Sequence, residues 1–257
     1  MSPMYRWMLL ALLGVPLSAL AADPAPALPN EMEAGYSRYS LTNGYADWDS
    51  AYLDAAHHFG ERHSVYGEVQ QAGRFNLVDR EISGGYYHPL GPNWTAQIEA
   101  SASAEHHFLP QNSLFGKLQA SLGDGWDVQA GLRHSAYTLA STNTGVLTGE
   151  RYWGSFRAAY RLYLSRLQGS GTAASHVGQL AYYYSEKSRV TLTVARGRQT
   201  ESLGPGMGVL LLDVRSISLT GRHWLNAAWA LSFEAISESQ GSLYTRRGIR
   251  LGLRHAF

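Results

Sequence analysis

The sequence predicts an all-β fold: a transmembrane, up-and-down antiparallel β-barrel of about fourteen strands, within a range of roughly twelve to sixteen. Three observations predict it. Apolar and polar residues alternate with period two almost throughout residues 31–257, and no stretch of comparable length repeats at 3.6. The connections between the alternating segments are short and long by turns, as in a barrel whose turns are short on the periplasmic side and longer outside. Five tryptophans, Trp94, Trp126, Trp153, Trp224 and Trp229, sit at or beside the short turns, where a periplasmic aromatic girdle would lie. A soluble sheet with turn-flanking core tryptophans also alternates, but it has no reason to gather its short turns at one end.

In chain order the alternation begins at 31–41 and 50–59, the second of which turns Asp54 to its polar face. It continues at 64–73 with Glu68 and at 78–88 with Asp79 and Glu81. At 94–104, Trp94, Ala96, Ile98, Ala100 and Ala102 share one face and Thr95, Gln97, Glu99, Ser101 and Ser103 the other. Segment 112–122 follows. At 126–137, Trp126, Val128, Ala130 and Leu132 oppose Asp127, Gln129, Gly131, Arg133 and Ser135. After 146–153, segment 156–166 sets Phe156, Ala158, Tyr160, Leu162 and Leu164 against Arg157, Ala159, Arg161 and Tyr163. Segments 176–184, 188–198, 209–221 and 228–237 lead to the last strand, 245–257. The expected short turns are 60–63, 89–93, 123–125, 154–155, 185–187 and 222–227. The expected long loops are 42–49, 105–111, 138–145, 167–175, 199–208 and 238–244, with 74–77 a short exception.

The chain has 257 residues and no cysteine, which excludes disulfides, thiolate metal sites, a cysteine nucleophile and a lipoprotein anchor. A net charge of +1 argues against a nucleic-acid partner. The mean hydropathy of −0.22 argues against a helical membrane protein but not against a barrel, which shows lipid only every second residue of each strand. The N-terminus reads as a cleaved signal peptide over residues 1–21. Arg6 supplies the basic region, Trp7 to Leu20 is almost wholly apolar, and Ala19-Leu20-Ala21 is a small-x-small cleavage site. The alternative, a short membrane anchor, fits less well because the run is short for a span and a Pro-Ala linker follows over 22–30. The expected organisation is signal peptide 1–21, linker 22–30 and barrel 31–257, exported to the bacterial outer membrane.

The final strand turns Ile249, Leu251, Leu253, His255 and Phe257 outward and Arg246, Gly248, Arg250, Gly252, Arg254 and Ala256 inward. A terminal Phe on an amphipathic last strand resembles the signal read by the barrel-assembly machinery. Arg250, Gly252 and Phe257 meet its spacing, and His255 stands where a second aromatic is usual.

Charge is unevenly spread. Residues 31–130 carry 13 acids and 5 bases, and residues 131–257 carry 6 acids and 15 bases. By strand phase Asp54, Glu68, Asp79, Glu81, Glu99 and Asp127 point inward from the early strands, and Arg133, Arg157, Arg161, Arg222, Arg246, Arg250 and Arg254 from the later ones. One wall is therefore expected to be acidic and the facing wall basic. Two readings of this lumen stay open. The charges line a water-filled, porin-like path for a polar solute, with the Arg246/Arg250/Arg254 row offering planar donors; or they pair across a narrow interior and plug it.

An outer-membrane hydrolase is the third class. His57-His58, His106-His107 and His134-Ser135 are the suggestive groupings, yet neighbouring residues on a strand point to opposite faces, so none forms a dyad by local spacing. No enzymatic role, catalytic residue, cofactor or metal is expected. Gly204-Pro-Gly206 reads as a loop turn, and Leu41 to Trp48 reads either as a sugar-stacking loop or as one held by its own aromatics.

The segments Leu41-Thr-Asn-Gly-Tyr-Ala-Asp-Trp48, Ser113-Leu-Phe-Gly116, Asp124-Gly-Trp-Asp-Val-Gln-Ala-Gly-Leu-Arg-His134, Glu150-Arg-Tyr-Trp-Gly154, Asp213-Val-Arg-Ser-Ile-Ser-Leu-Thr-Gly-Arg-His-Trp224 and Tyr244-Thr-Arg-Arg-Gly-Ile-Arg-Leu-Gly-Leu-Arg254 carry a resemblance to the YaiO family of outer-membrane β-barrel proteins. It covers Glu31 to Phe257. The resemblance implies a Gram-negative outer-membrane barrel without an established activity and, because related barrels stand beside glycan-synthesis systems, a part in surface polysaccharide export. The implied partners are outer-membrane lipid, the barrel-assembly machinery and a glycan or glycan-export system.

Overall fold

The computed structural model describes residues 28–60, 62–168, 171–202 and 209–257. The expected signal peptide, the first part of the linker and Gly204-Pro-Gly206 lie outside the described residues. Fourteen strands follow one another: β1 (Asn30–Leu41), β2 (Trp48–Gly60), β3 (His63–Arg74), β4 (Leu77–Pro89), β5 (Trp94–Ser103), β6 (Asn112–Gly123), β7 (Trp126–Ala136), β8 (Ser141–Trp153), β9 (Phe156–Leu167), β10 (Thr172–Tyr183), β11 (Arg189–Ser202), β12 (Val209–Trp224), β13 (Trp229–Gln240) and β14 (Tyr244–Ala256). Each pairs antiparallel with its sequence neighbours, and β14 closes on β1 to form a barrel. The closing register runs from Glu31↔Ala256 to Leu41↔Arg246. Asn30 and Phe257 exchange backbone hydrogen bonds of 3.0 and 2.9 Å at one rim, called here the terminal rim. Closure removes the free edges that an open sheet would present. No helix among the described residues is long and apolar enough to cross a membrane.

Period two sets the two surfaces. On β14, Ile249, Leu251 and Leu253 are exposed on the outer face, while Arg246 and Arg254 on either side of them are buried inside. On β5, Ile98 is exposed and Gln97 and Glu99 are buried. The hydrophobic surface is thus outside and the polar surface inside, the inverse of a soluble domain and the pattern of a membrane barrel.

The strand ends at the opposite, far rim differ from expectation. β8 begins at Ser141, β10 at Thr172, β11 runs to Ser202 and β13 to Gln240, so the connections there shrink to 137–140, 168–171, 203–208 and 241–243. The added ends are polar on both faces (Thr142-Asn143-Thr144, for example) or, on β10, carry small alanines on both faces, so alternation fades while the backbone ladder continues, Thr142 pairing with Leu167. The 75–76 connection is a two-residue hairpin turn with Phe75 and Asn76 at φ 54° and 63°. Left-handed backbone is unfavourable for a bulky residue; the Phe75 ring is held by edge contacts to Trp48 at 5.3 Å and Tyr45 at 6.0 Å between centroids.

Trp94, Trp126, Trp153 and Trp229 are exposed on the outer face at the terminal rim. Trp224 departs from expectation: it shares the inward phase of Arg222 and is half-buried, with the Lys187 ammonium 5.1 Å from its ring centroid. Histidines complete the aromatic belt. His223 stacks on Tyr184 at 5.9 Å, His255 packs on Trp229 at 4.3 Å and stacks on Phe257 at 5.5 Å, and His63 and His88 pack on Tyr86. At position 255, where the assembly pattern has an aromatic side chain, the imidazole ring occupies an aromatic slot of the belt.

Candidate functional site in the charged interior

The inner face carries three side-chain networks, two at overlapping heights in different sectors and a third toward the far rim. The first spans the β14–β1 seam. Arg254 donates from Nε to Glu33 at 2.7 Å, from a second nitrogen to Asp54 at 3.4 Å, and from the third to Glu31. The Tyr52 hydroxyl donates to the other oxygen of Glu33 at 2.6 Å, Ser232 donates to Glu33 at 2.8 Å, and Arg222 lies 3.9 Å away. Tyr52 reaches this site from β2 because the seam is paved with Gly35 and Gly252: a Cβ at either would overlap the Tyr52 side chain. The Arg250 guanidinium sits 3.7 Å from the Tyr52 ring centroid, a cation–π contact strengthened by exclusion of water.

The second network runs laterally around the barrel from β3 to β11. Gln97 donates to the Tyr66 hydroxyl at 2.7 Å, and that hydroxyl donates to Glu99 at 2.6 Å. Arg133 reaches Glu99 at 3.2 Å and Ser113 at 3.0 Å, with its guanidinium 4.3 Å from the Phe115 ring centroid. Lys117 donates to Gln129, Gln129 to Glu150, and Arg157 to both Glu150 at 2.9 Å and Gln179 at 3.2 Å; Gln179 passes the chain to Thr193. Buried charges persist only when paired and hydrogen-bonded; Glu99 with Arg133 and Glu150 with Arg157 meet that condition across neighbouring strands, and Lys117 rests on a hydrogen bond to Gln129 and on the Tyr87 ring.

The third network, toward the far rim, is built of aromatic rings. Trp48 and Tyr244 are 5.7 Å apart, and Tyr45 and Tyr244 5.2 Å. Tyr39, Trp48, Tyr163, Val177, Ala195, Ile236 and Tyr244 form one buried cluster drawn from both halves of the barrel. Two arginines are embedded in it: Arg74 lies 4.4 Å from Trp48 and 4.9 Å from Phe108, and Arg246 lies 4.9 Å from Trp48 and donates to Glu238 at 2.9 Å. The 104–111 loop folds into this mouth. Asp79, fully buried, accepts the backbone N–H groups of His107, Phe108 and Leu109 at 3.0, 2.9 and 2.8 Å and the His107 Nδ1 at 2.7 Å, which seats Phe108 and Leu109 against Ala72.

All thirteen residues singled out by strand phase, Asp54, Glu68, Asp79, Glu81, Glu99, Asp127, Arg133, Arg157, Arg161, Arg222, Arg246, Arg250 and Arg254, lie on the inner face, buried or half-buried. They do not form two facing walls. Closure sets basic β14 beside acidic β1 and β2, so Arg254 meets Glu33 and Asp54 laterally. Inward acids Glu150, Glu234 and Glu238 interrupt the basic half, and inward Arg74 and Lys117 interrupt the acidic half. Glu31 and Glu33, which the sequence reading passed over, are central to the seam; their common phase with Tyr39 was the available signal.

The histidine groupings are dispersed. His134 is on the outer face against Asn143, whereas Ser135 is buried inside and donates to Ser113. His57 is on the outer face against Asn30. His106 binds Thr138, and His107 is committed to Asp79. Among the described residues no three histidines or carboxylates gather in a metal-ligating group. The 41–48 loop is held by its own aromatics, Tyr45 and Trp48, and by Asn43 donating to the Leu243 carbonyl at 2.7 Å.

Comparison with known proteins agrees with this architecture. The model of the YaiO membrane beta barrel domain family matches residues 29–202. No curated protein matches the sequence. Among solved structures, the outer membrane protein Omp33 of Acinetobacter baumannii superposes with a TM-score of 0.54 at 11% identity, over 90% of this chain and 100% of that one. A structure described as a bacterial polysaccharide outer membrane secretin gives 0.54 at 8% identity, over 91% and 100%. At such identities the shared property is the fold.

Proposed function

The chain belongs to the YaiO family of outer-membrane β-barrels, and from that premise we propose that it is a non-enzymatic conduit for a polar, hydroxyl-rich solute such as a surface polysaccharide, closed at its far mouth in this conformation. The observation that carries the reading is the interior itself: charged and polar from the terminal rim upward, then crossed by one aromatic layer. A barrel that only needed filling would be as stable or more so with apolar side chains, because buried ion pairs lose in desolvation much of what they gain in attraction. Arg250, half-buried against the Tyr52 ring, offers planar donors to hydroxyl or carboxylate groups. The Trp48 indole N–H, buried in the layer, has no protein acceptor among the described residues.

The second reading, a closed structural barrel, draws on the same aromatic layer. Planar-bilayer recordings separate the two. The conduit gives intermittent openings that favour anions over cations, and Arg250→Ala lowers that preference. A folded protein that stays silent at every voltage supports the structural barrel and overturns the conduit. In this reading the terminal rim faces the periplasm and the far rim the cell exterior, with the last strand, ending at Phe257, read by the assembly machinery.

A further inference from the structure

The outer surface near the far rim is not uniform. On β11 and β12 the cross-strand pairs ascend from Leu192↔Leu219 through Val194↔Ile217 to Arg196↔Arg215. The apolar ladder therefore ends in two arginines standing directly opposite each other on the outside of the barrel, both exposed. Directly opposed like charges destabilise a sheet, and side chains in such pairs stand about 5 Å apart at Cβ. The nearest carboxylate above them, Asp213, is taken by Arg198 at 3.9 Å. Arg196 and Arg215 make no ion pair with any described residue. Two strands along, Arg247 is also exposed and outward, and Ser239 and Ser237 lie between, in register with Arg215 and Arg247 respectively.

Height decides what these cations meet. A strand rising about 3.4 Å per residue and tilted about 40° climbs roughly 2.6 Å per residue, so Arg247, ten residues from Phe257, stands about 26 Å above the terminal aromatic belt. That matches the apolar band of about 25 Å typical of such barrels and sets the arginines at the far membrane interface. Elsewhere at the far rim the outward cations are single: Arg80 is engaged by Glu105 at 3.0 Å and by Gln71, Arg38 by Asp47 at 3.3 Å, and Arg166 stands opposite Asn143 rather than a second arginine.

We infer that Arg196, Arg215 and Arg247, with the Ser237 and Ser239 hydroxyls, form a binding site on the barrel's outer surface for the phosphate groups of an outer-leaflet phosphorylated glycolipid. A phosphate monoester brings more than one negative charge and three acceptor oxygens, which relieves the opposed guanidinium pair and uses their fixed fork of donors. The serines supply hydroxyl donors to the same group or to the sugar beside it. The inference rests on the far rim facing the cell exterior but not on passage through the lumen, so a silent barrel leaves it standing.

The test is native mass spectrometry of the full barrel in non-ionic detergent with added bisphosphorylated lipid A, lipid A stripped of phosphate, or phosphatidylglycerol. Wild type retains bisphosphorylated lipid A at least tenfold better than either other lipid, and R196Q/R215Q, its folded state checked by heat-modifiable gel migration, loses that retention at least tenfold. Equal retention by R196Q/R215Q, or equal retention of the phosphate-free lipid or of phosphatidylglycerol by wild type, overturns the site. If R196Q/R215Q fails to fold, R247Q and the wild-type lipid comparison decide: an unchanged R247Q or an unselective wild type overturns it.

Discussion

At the β14–β1 seam Arg254 is enclosed by three carboxylates and shares Glu33 with a tyrosine hydroxyl, whereas at the far mouth Arg74 and Arg246 lie against the faces of Trp48, Phe108 and Tyr39. The first arrangement is directional and built of charge-assisted hydrogen bonds; losing one partner strands an opposite charge in a dry place. The second sets one buried ion pair, Arg246–Glu238 at 2.9 Å, within non-directional dispersive and cation–π contacts. The comparison locates rigidity at the seam and the capacity to open at the mouth. It also accounts for the glycines: Gly35 and Gly252 are where the rigid end needs Tyr52 pressed onto the backbone.

The largest expected effect breaks the rigid end. Glu33→Ala leaves Arg254 and Arg222 short of their shared carboxylate and should cost about 3–5 kcal/mol, read as the shift in the urea unfolding midpoint of the detergent-folded barrel. A loss below about 1 kcal/mol would mean the seam is not rigid. Gly35→Ala should cost about 1–3 kcal/mol by overpacking against Tyr52. The same change in a Tyr52→Ala background should be nearly neutral, and simple additivity of the two would remove Tyr52 from the explanation.

At the mouth, Asp79→Asn keeps the shape but weakens the charge-assisted bonds that seat the 104–111 loop. The expected cost is about 1 kcal/mol, confined to the loop, so limited proteolysis should cut within 104–111 while the barrel midpoint hardly moves. A loop as resistant as wild type would assign its seating to Phe108 and Leu109 instead. The smallest effect belongs to neither region: Arg38–Asp47, at 3.3 Å, is solvent-exposed, and Arg38→Ala should change stability by less than about 0.5 kcal/mol.

Strand number and phase were legible because a membrane barrel imposes period two on every strand: Ile98 against Glu99, or Leu253 against Arg254, declares inside and outside without reference to any partner. Far-rim ends such as Ser141–Thr144 were not legible, since a ladder polar on both faces leaves no alternation to read. Trp224 was misjudged because nearness to a turn says nothing about phase. The inward residues of the site could be named one by one, but their pairing could not. Arg254 and Glu33 lie at opposite ends of the sequence and meet only because the barrel closes, and Tyr66 reaches Glu99 across β4 only where Gly85 leaves room. A wall-against-wall picture drawn from net charge missed closure, which turns the two ends of the charge gradient into neighbours.

In the proposed conduit the aromatic layer, not the charged interior, closes the path. Single-channel recording of wild type beside the Trp48→Ala variant in planar bilayers addresses it directly. Trp48→Ala should open more often and more widely with unchanged preference for anions, because Arg250 lies away from the layer. Identical records from the two barrels, or a variant that conducts no more than a silent wild type, would contradict it.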